Sequence, residues 1–376
     1  MTISVDTRLR ACFTIMPLMR HPGEGRDPRQ GLSLWLAVDG RLRDHDAIGA
    51  FQNQAASRAA AICNSPIEAP GIMIEIEFEN VYGAPMEALV GAYSGAAQFS
   101  PLSPGAQSLS EVPAGSLNGM AMLAPAGTVE RRYALALALR ALKPGSRLVA
   151  LAPKDKGGSR LAQDFETLGC DFTESAKRHH RLCVTQGGGD PAAIEAALAA
   201  GAPRLLEDLG LWSQPGVFSW NRIDPGSALL VQHLPALSGK GADFGGGIGV
   251  LSRAVLASPK VTRLTLIDID RRAIDMARRN IDDPRVEFLW ADALAPSALT
   301  GLDFVVTNPP FHEGAIENQA LGQSFIKRAH AVLRTGGSCW LTANRHLPYE
   351  AILTPLFRRV TMVTESGGYK IYQAQK

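Results

Sequence analysis

The stretch that most restricts how this chain can fold is Asp243-Phe-Gly245-Gly246-Gly247-Ile-Gly249. Its glycines at 245, 247 and 249 follow an apolar strand-like run and open a helical one, where they permit a tight turn and close approach of backbone to a ligand. From here the chain alternates in character. Gly241–Phe244, Arg263–Asp268, Val286–Leu289, Asp303–Thr307 and Ser338–Ala343 read as strands, and Gly249–Ala257, Arg271–Asn280 and Gln319–Leu333 as helices between them. The alternation predicts an α/β domain with a mostly parallel sheet covered on both faces. A glycine-rich first turn places a nucleotide-type site at the carboxyl ends of the strands. The spacing alone also fits a dinucleotide fold, and the plainest alternative is a glycine turn that only packs helix on strand.

Three acids narrow the ligand. Asp268 ends the next strand, about 20 residues beyond the loop, where a carboxylate can accept both ribose hydroxyls. Asp292 ends the run Leu289-Trp-Ala-Asp292, placed to hold an adenine amino group. Asp243 precedes the glycines, with no phosphate for it to repel; it suits a cationic methionyl group, which dinucleotides lack. Asp270 fits an N-cap of the helix that begins at Arg271. The set points to S-adenosyl-L-methionine as cofactor.

The chemistry is read from Thr307-Asn308-Pro309-Pro310-Phe311, directly after the strand Asp303–Val306. An Asn at a strand end, stiffened by two prolines, presents a side-chain carbonyl and a fixed backbone carbonyl toward one point. Two acceptors there can take both hydrogens of an amino group and aim its lone pair at a sulfonium methyl. The gain is positioning and electrostatics; no strong base is required. Phe311 supplies a face for a planar base to stack on. The alternative is a proline-rich turn with a core Phe. His312 adjoins the tetrapeptide, and Arg345 and His346 follow the strand ending at Ala343, all three as candidate substrate contacts.

The first half of the chain carries no such loop. Residues 1–30, rich in Pro, Gly and Arg, read as a flexible tail; their short apolar segment, Ala11–Met19, is interrupted by Pro17, which argues against a targeting peptide. In residues 31–186, Ile72–Phe78 alternates as a strand, Tyr133–Leu142 reads as a helix, Lys143-Pro-Gly-Ser146 as a turn and Arg147–Ala152 as a buried strand. Gly187-Gly-Gly-Asp190 breaks the pattern, and 187–210, with an Ala-rich helix from Pro191, reads as a linker. The helix–turn–strand Arg140–Ala150 is echoed by His330–Trp340, so the halves could be copies of one fold. Lys177-Arg-His-His-Arg181 reads as a solvated helix end before an RNA contact. The C-terminal residues 211–376 carry 18 Lys+Arg against 14 Asp+Glu, a small excess on the half expected to meet an anion. The five cysteines have no paired metal spacing and fit reduced thiols; no metal is expected, and no apolar run approaches the roughly 20 residues of a membrane helix.

Residues 211–376 resemble the guanine-N2 ribosomal RNA methyltransferases of the small-subunit methyltransferase C and large-subunit methyltransferase G type. The resemblance rests on Pro215-Gly-Val-Phe-Ser219, Asp224-Pro-Gly-Ser-Ala-Leu-Leu230, the Asp243 loop, Asn308-Pro-Pro-Phe-His312, Ala343-Asn-Arg-His-Leu-Pro-Tyr349 and Gly368-Tyr-Lys-Ile-Tyr372. It implies two tandem class I (Rossmann-like) methyltransferase domains, the N-terminal one degenerate and serving RNA binding or orientation. It also implies that Phe218 is a lid over the cofactor, that ribosomal RNA or a ribosomal subunit is the partner, and that the protein is cytoplasmic and monomeric. Small-subunit 16S rRNA is favoured over 23S. Adenine N6, protein glutamine, or a role as a non-catalytic assembly factor remain the alternatives.

Overall fold

The computed structural model describes residues 77–296, 298–310 and 316–376, with side chains from Ala320 onward in the last stretch. The tail, most of the Ile72–Phe78 strand, Phe311 and His312 lie outside the described residues. Residues 74–376 form one compact unit that holds two large sheets.

The first sheet contains β1 (Asn80–Tyr82), β2 (Ala97–Gln98), β3 (Leu117–Leu123), β4 (Leu142–Pro153), β5 (Thr173–Lys177) and β6 (His180–Thr185) in the order β2-β1-β3-β4-β6-β5. All run parallel except β6, which is antiparallel to both its neighbours, β4 and β5. Four helices accompany it: α1 (Glu87–Val90), α2 (Thr128–Ala141), α3 (Leu161–Thr167) and α4 (Pro191–Gly201). The stretch 187–210 is structured. Asp190 caps α4 by accepting from the Ala192 N–H at 3.0 Å, Pro191 opens the helix, and Leu198 packs into the core built by α2 and β3–β4. A two-strand ribbon, β7 (Arg204–Leu206) and β8 (Leu211–Ser213), follows.

The second sheet holds β9 (Gly239–Phe244), β10 (Val261–Asp268), β11 (Val286–Trp290), β12 (Leu302–Thr307), β13 (Leu333–Asn344), β14 (Arg359–Ser366) and β15 (Tyr369–Gln375). Its order is β11-β10-β9-β12-β13-β15-β14, parallel except for β15, which runs antiparallel to both neighbours. The helices are α5 (Pro225–His233), α6 (Val250–Leu256), α7 (Arg271–Asn280), α8 (Ile316–Val332) and α9 (Glu350–Leu356). Successive residues of each central strand enter opposite cores. Ile267, Val305, Leu341 and Tyr372 pack on the face covered by α8 and α9, while Leu266, Val306, Trp340 and Ile371 pack on the face covered by α5, α6 and α7. That double burial is why these strands read as continuous apolar runs.

One expectation is corrected here. Lys177–Arg181 is not a helix end but the tip of the β5–β6 hairpin, with Arg178 (φ 47°) and His179 (φ 62°) forming the two-residue turn. Both central residues have positive φ, the geometry that matches strand twist, without the Asn-Gly signature that would announce it in sequence.

Candidate active site

β9 lies inside the second sheet, between β10 and β12, and runs directly into the glycine loop. Gly245, Gly247 and Gly249 have φ of 67°, 54° and 93°, where a side chain is strained. The four glycines differ in what surrounds them. A Cβ at Gly246 would run into the Leu266 side chain at 2.5 Å, and one at Gly249 into Ile281 at 2.7 Å; at Gly247 it would meet nothing within 4 Å. Gly246 and Gly249 are thus small for packing, whereas Gly247 opens onto a cleft. The Gly245 and Gly246 N–H groups donate to the Ile267 carbonyl at 2.9 and 3.0 Å, which ties the loop to β10.

Three acids stand along the carboxyl edge of three adjacent strands. Asp243, near the end of β9, is fully buried; its Oδ2 accepts from the Ser252 hydroxyl at 2.7 Å and its Oδ1 has no partner. Burial pushes this carboxyl up to about 7, against the pull of Ser252 and with a further push from Asp268. Asp268, the last residue of β10, accepts from the Gly247 N–H (Oδ2, 2.8 Å) and from the Asp270 N–H (Oδ1, 2.8 Å). Burial raises it to about 6, while those N–H groups draw it down. Asp292 lies two residues beyond β11, exposed, accepting from the Leu294 N–H at 2.8 Å. Asp270 caps α7 through the Arg272 N–H, as its position in the sequence predicts.

Asn308 follows β12, which lies beside β9; the Thr307 hydroxyl donates to the Phe244 carbonyl at 2.8 Å and fixes the two strand ends together. Its Nδ2 donates to Asp224 Oδ1 at 2.8 Å and to Ser227 Oγ at 2.9 Å. A carboxylate only accepts, so the amide nitrogen must face Asp224 and the amide oxygen must face away. That oxygen, Oδ1, is buried and has no partner. Asp224 Oδ1 also caps α5 by accepting from the Ser227 N–H at 2.9 Å, so the start of α5 and the rotamer of Asn308 are set by one carboxylate. Pro309 is buried and Pro310 half-buried.

Phe218, 56 % exposed, lines the same cleft as Asn308, Asp224 and the glycine loop. The turn behind it is strained: Ser219 has φ 51° and its hydroxyl donates to the Arg222 carbonyl at 3.0 Å. Arg345 and His346 are exposed beyond the carboxyl end of β13, on the same edge of the sheet. Arg345 Nε pairs with Glu365 at 2.7 Å and the His346 N–H donates to Asn344 Oδ1. Sequence reasoning did not single out Asp224, Ser227 or Ser252 for these contacts. The stretch Asp224–Leu230 was visible only as a segment of the family resemblance, and the bond from Asn308, 84 positions later, was not visible at all.

The residues present fit a cofactor of the predicted chemistry. An unpartnered buried carboxylate oxygen, a glycine whose missing Cβ faces the cleft, and a carboxylate held by the loop's own N–H leave room for an ammonium, a backbone approach and a ribose. Strand order, glycine loop and acid positions together define an S-adenosylmethionine-dependent methyltransferase of the Rossmann-like class. The family model described as methyltransferase small domain matches residues 208–373. Ribosomal RNA small subunit methyltransferase C of Shewanella sediminis is 31% identical over 260 residues, covering 64% of this chain and 71% of that protein. The protein of the same name from Pseudomonas paraeruginosa is 31% identical over 270 residues, covering 70% and 81%. The chain belongs to the ribosomal RNA small subunit methyltransferase C family. In fold it is similar to the 16S rRNA N2 G1207 methyltransferase of T. thermophilus, solved in complex with AdoMet and guanosine. The TM-score is 0.59 at 24% identity, over 75% of this chain and 78% of that one. Among the described residues no helix is long and apolar enough to cross a membrane.

Proposed function

We propose that this chain methylates the exocyclic N2 of a guanine in 16S ribosomal RNA, working in the cytoplasm as a monomer. The observation that carries the reading is Asn308: its amide nitrogen is engaged by Asp224 and Ser227, and its oxygen is left buried and unpartnered at the mouth of the cleft. A buried acceptor without a donor costs stability, and its retention is explained by a substrate donor that arrives later. In this reading Asp243 holds the methionyl ammonium, Asp268 the ribose and Asp292 the adenine amino group. Gly245, Gly247 and Gly249 let the backbone approach, and Phe218 covers the cleft. When bound, S-adenosylmethionine supplies an electrophilic methyl on sulfonium. Asn308 Oδ1 and a backbone carbonyl of the Pro309-Pro310 turn take the two hydrogens of the target amino group. This draws its lone pair out of conjugation with the ring and toward the methyl. Phe311 stacks on the extruded base, with His312, Arg345 and His346 as further contacts to the RNA. Arg345 is held through Nε by Glu365 and is 52% exposed, so the pair orients its guanidinium at the surface.

The experiment is methylation of separated ribosomal subunits, from cells lacking the gene, with labelled cofactor, followed by digestion to nucleosides. Label in N2-methylguanosine from 16S rRNA is the expected result. Label in N6-methyladenosine or in protein glutamine would move the reading to one of those acceptors. No label in either subunit would favour a non-catalytic assembly factor.

A further inference from the structure

The half of the molecule without a glycine loop touches the segment behind Asp268 through one side chain. Glu130, on α2 of the first half, pairs through Oε1 with Arg272 Nη1 at 2.7 Å. Arg272 in turn grips Asp270, with Nη2 to Oδ2 at 2.8 Å and Nε to Oδ1 at 3.0 Å. These side chains are only 10–16% exposed, so solvent screens the pairs weakly. The Asp270 N–H donates to Asp268 Oδ1, the carboxylate assigned above to the ribose. A second bond crosses from the same side: the Arg271 N–H donates to the Pro101 carbonyl of the first half at 2.9 Å.

The ion pair also touches the lid. Gly216 has φ +103°, and a Cβ there would overlap both the Arg272 guanidinium and the Glu130 carboxyl. The chain therefore passes directly over the pair two residues before Phe218. Ribose-side loop and lid segment thus rest on the same two charged groups, and one of the two belongs to the half that carries no cofactor loop.

We propose that Glu130 is a positioning residue for the cofactor, acting through Arg272 and Asp270 to hold Asp268 and the Gly216–Phe218 segment in their binding geometry. The inference rests on the reading of Asp268 as the ribose acceptor. Without Glu130, Arg272 keeps Asp270 but loses its anchor on the first half. The loop 268–272 then samples more conformations, and binding must order it, which lowers affinity without removing a contact to the ligand.

Calorimetry of S-adenosylmethionine on the full chain tests this, with hydrogen exchange of residues 268–272 followed in the cofactor-free protein. Glu130→Ala is expected to weaken cofactor affinity by roughly 5- to 50-fold, the usual range for coupled sites, and to speed exchange of those amides. Glu130→Gln, which keeps a neutral hydrogen bond, should fall between wild type and Glu130→Ala, and it serves if Glu130→Ala does not fold. In an Arg272→Ala background the Glu130 effect should vanish. Glu287→Gln, which breaks the exposed pair with Arg263 on the same half, should change neither readout. A role confined to stability would lower the melting temperature and the bound fraction but leave affinity and loop exchange of the folded protein as in wild type; that result overturns the proposal. Asp268→Ala separates the two claims. If it leaves affinity intact, the ribose reading fails; if it abolishes binding while Glu130→Ala does not weaken it, only the coupling fails.

Discussion

The two sheets of this chain are one design with and without a site. In the first, Leu117 pairs with Leu142 and then, after a slip, Gly119 with Arg147; in the second, Leu302 pairs with Leu333 and, after the same slip, Phe304 with Ser338. The glycines inside the slip match too, Gly145 of β4 at φ 78° and Gly336 of β13 at φ 82°, so the turn read at Lys143–Ser146 is the irregular start of β4. Registers carried across from this anchor set Val81 against Asp243 and Leu123 against Asn308, and the residue after β1, Gly83, against the residue after β9, Gly245. Gly83 retains the positive φ, 75° against 67°, because the chain must still turn out of the strand there. The polar groups at Asp243 and Asn308 have apolar counterparts, Val81 and Leu123. The turn after β3 is sealed from within: the buried Arg131 guanidinium donates to the carbonyls of Pro125 and Ala126 and pairs with Asp164 at 2.5 Å. What the halves share is therefore a strand order. The first has three and two residues in β1 and β2 where the second has six and eight in β9 and β10, and different side chains at the strand ends. Function lies in the site and not in the shared fold.

The largest expected effect comes from giving the second half the first half's chemistry at the tetrapeptide. Asn308→Ala should lower the single-turnover rate by on the order of 10²–10³, as removal of one preorganised polar contact does. Cofactor affinity should stay near wild type. A loss of activity that only tracks folded protein would reduce the Asn-Pro-Pro turn to a structural one.

Asp243→Asn, matching the uncharged Val81, should weaken cofactor binding by roughly 10- to 100-fold, the size of a lost charged hydrogen bond. It should also change the pH dependence. With its carboxyl raised to about 7, folded Asp243 holds a proton that the unfolded chain releases at ordinary carboxylate pH. Stability of the cofactor-free protein therefore falls as pH rises from about 4 to about 7 and is level above. Asp268, raised to about 6, adds a slope of the same sign. Cofactor affinity runs the other way, rising as Asp243 ionises. Thermal unfolding across that window should show a shallower slope in Asp243→Asn, and an unchanged slope would count against a protonated Asp243.

A smaller effect is expected at Asp224. Glycine there keeps a serviceable N-cap for α5, within a few tenths of a kcal/mol, but leaves Asn308 only the Ser227 hydroxyl as acceptor. Asp224→Gly should slow the chemical step about 5- to 10-fold, and Asp224→Asn, which retains an acceptor oxygen, should restore most of it. Equal rates in Asp224→Gly and wild type would show that Asn308 needs no such hold. The smallest effect belongs to the first half: Pro85→Ala, in the turn that follows β1, should leave cofactor affinity unchanged, and any weakening there would mean that the first half still touches the ligand.

Much of this was legible in sequence for a physical reason. In the second half, strands buried on both faces and helices punctuated by Gly and Asp write their boundaries locally, so β9 to β12 and the Asp270 cap fall within two residues of where the pattern puts them. β13 starts at Leu333, five residues before the strand read at Ser338. Asp243, Asp268 and Asn308 were readable because each ends a strand at the carboxyl edge. What sequence did not carry was pairing across distance: Asp224 with Asn308, Ser252 with Asp243, Glu130 with Arg272. The short strands β1 and β2, of three and two residues, are too brief to show a period. The hairpin at Arg178-His179 lacks the residues that such turns favour.

The account stands or falls on there being one working site on two copies of a fold. Calorimetric titration of the full chain with S-adenosylmethionine, in wild type and in Gly247→Val, measures that directly. The valine brings a β-branched side chain to a positive φ at the one loop glycine that faces open space. The account predicts one bound cofactor per chain in wild type and none in Gly247→Val, with the variant's unfolding still cooperative. Two cofactors per chain, or wild-type affinity in Gly247→Val, would contradict it.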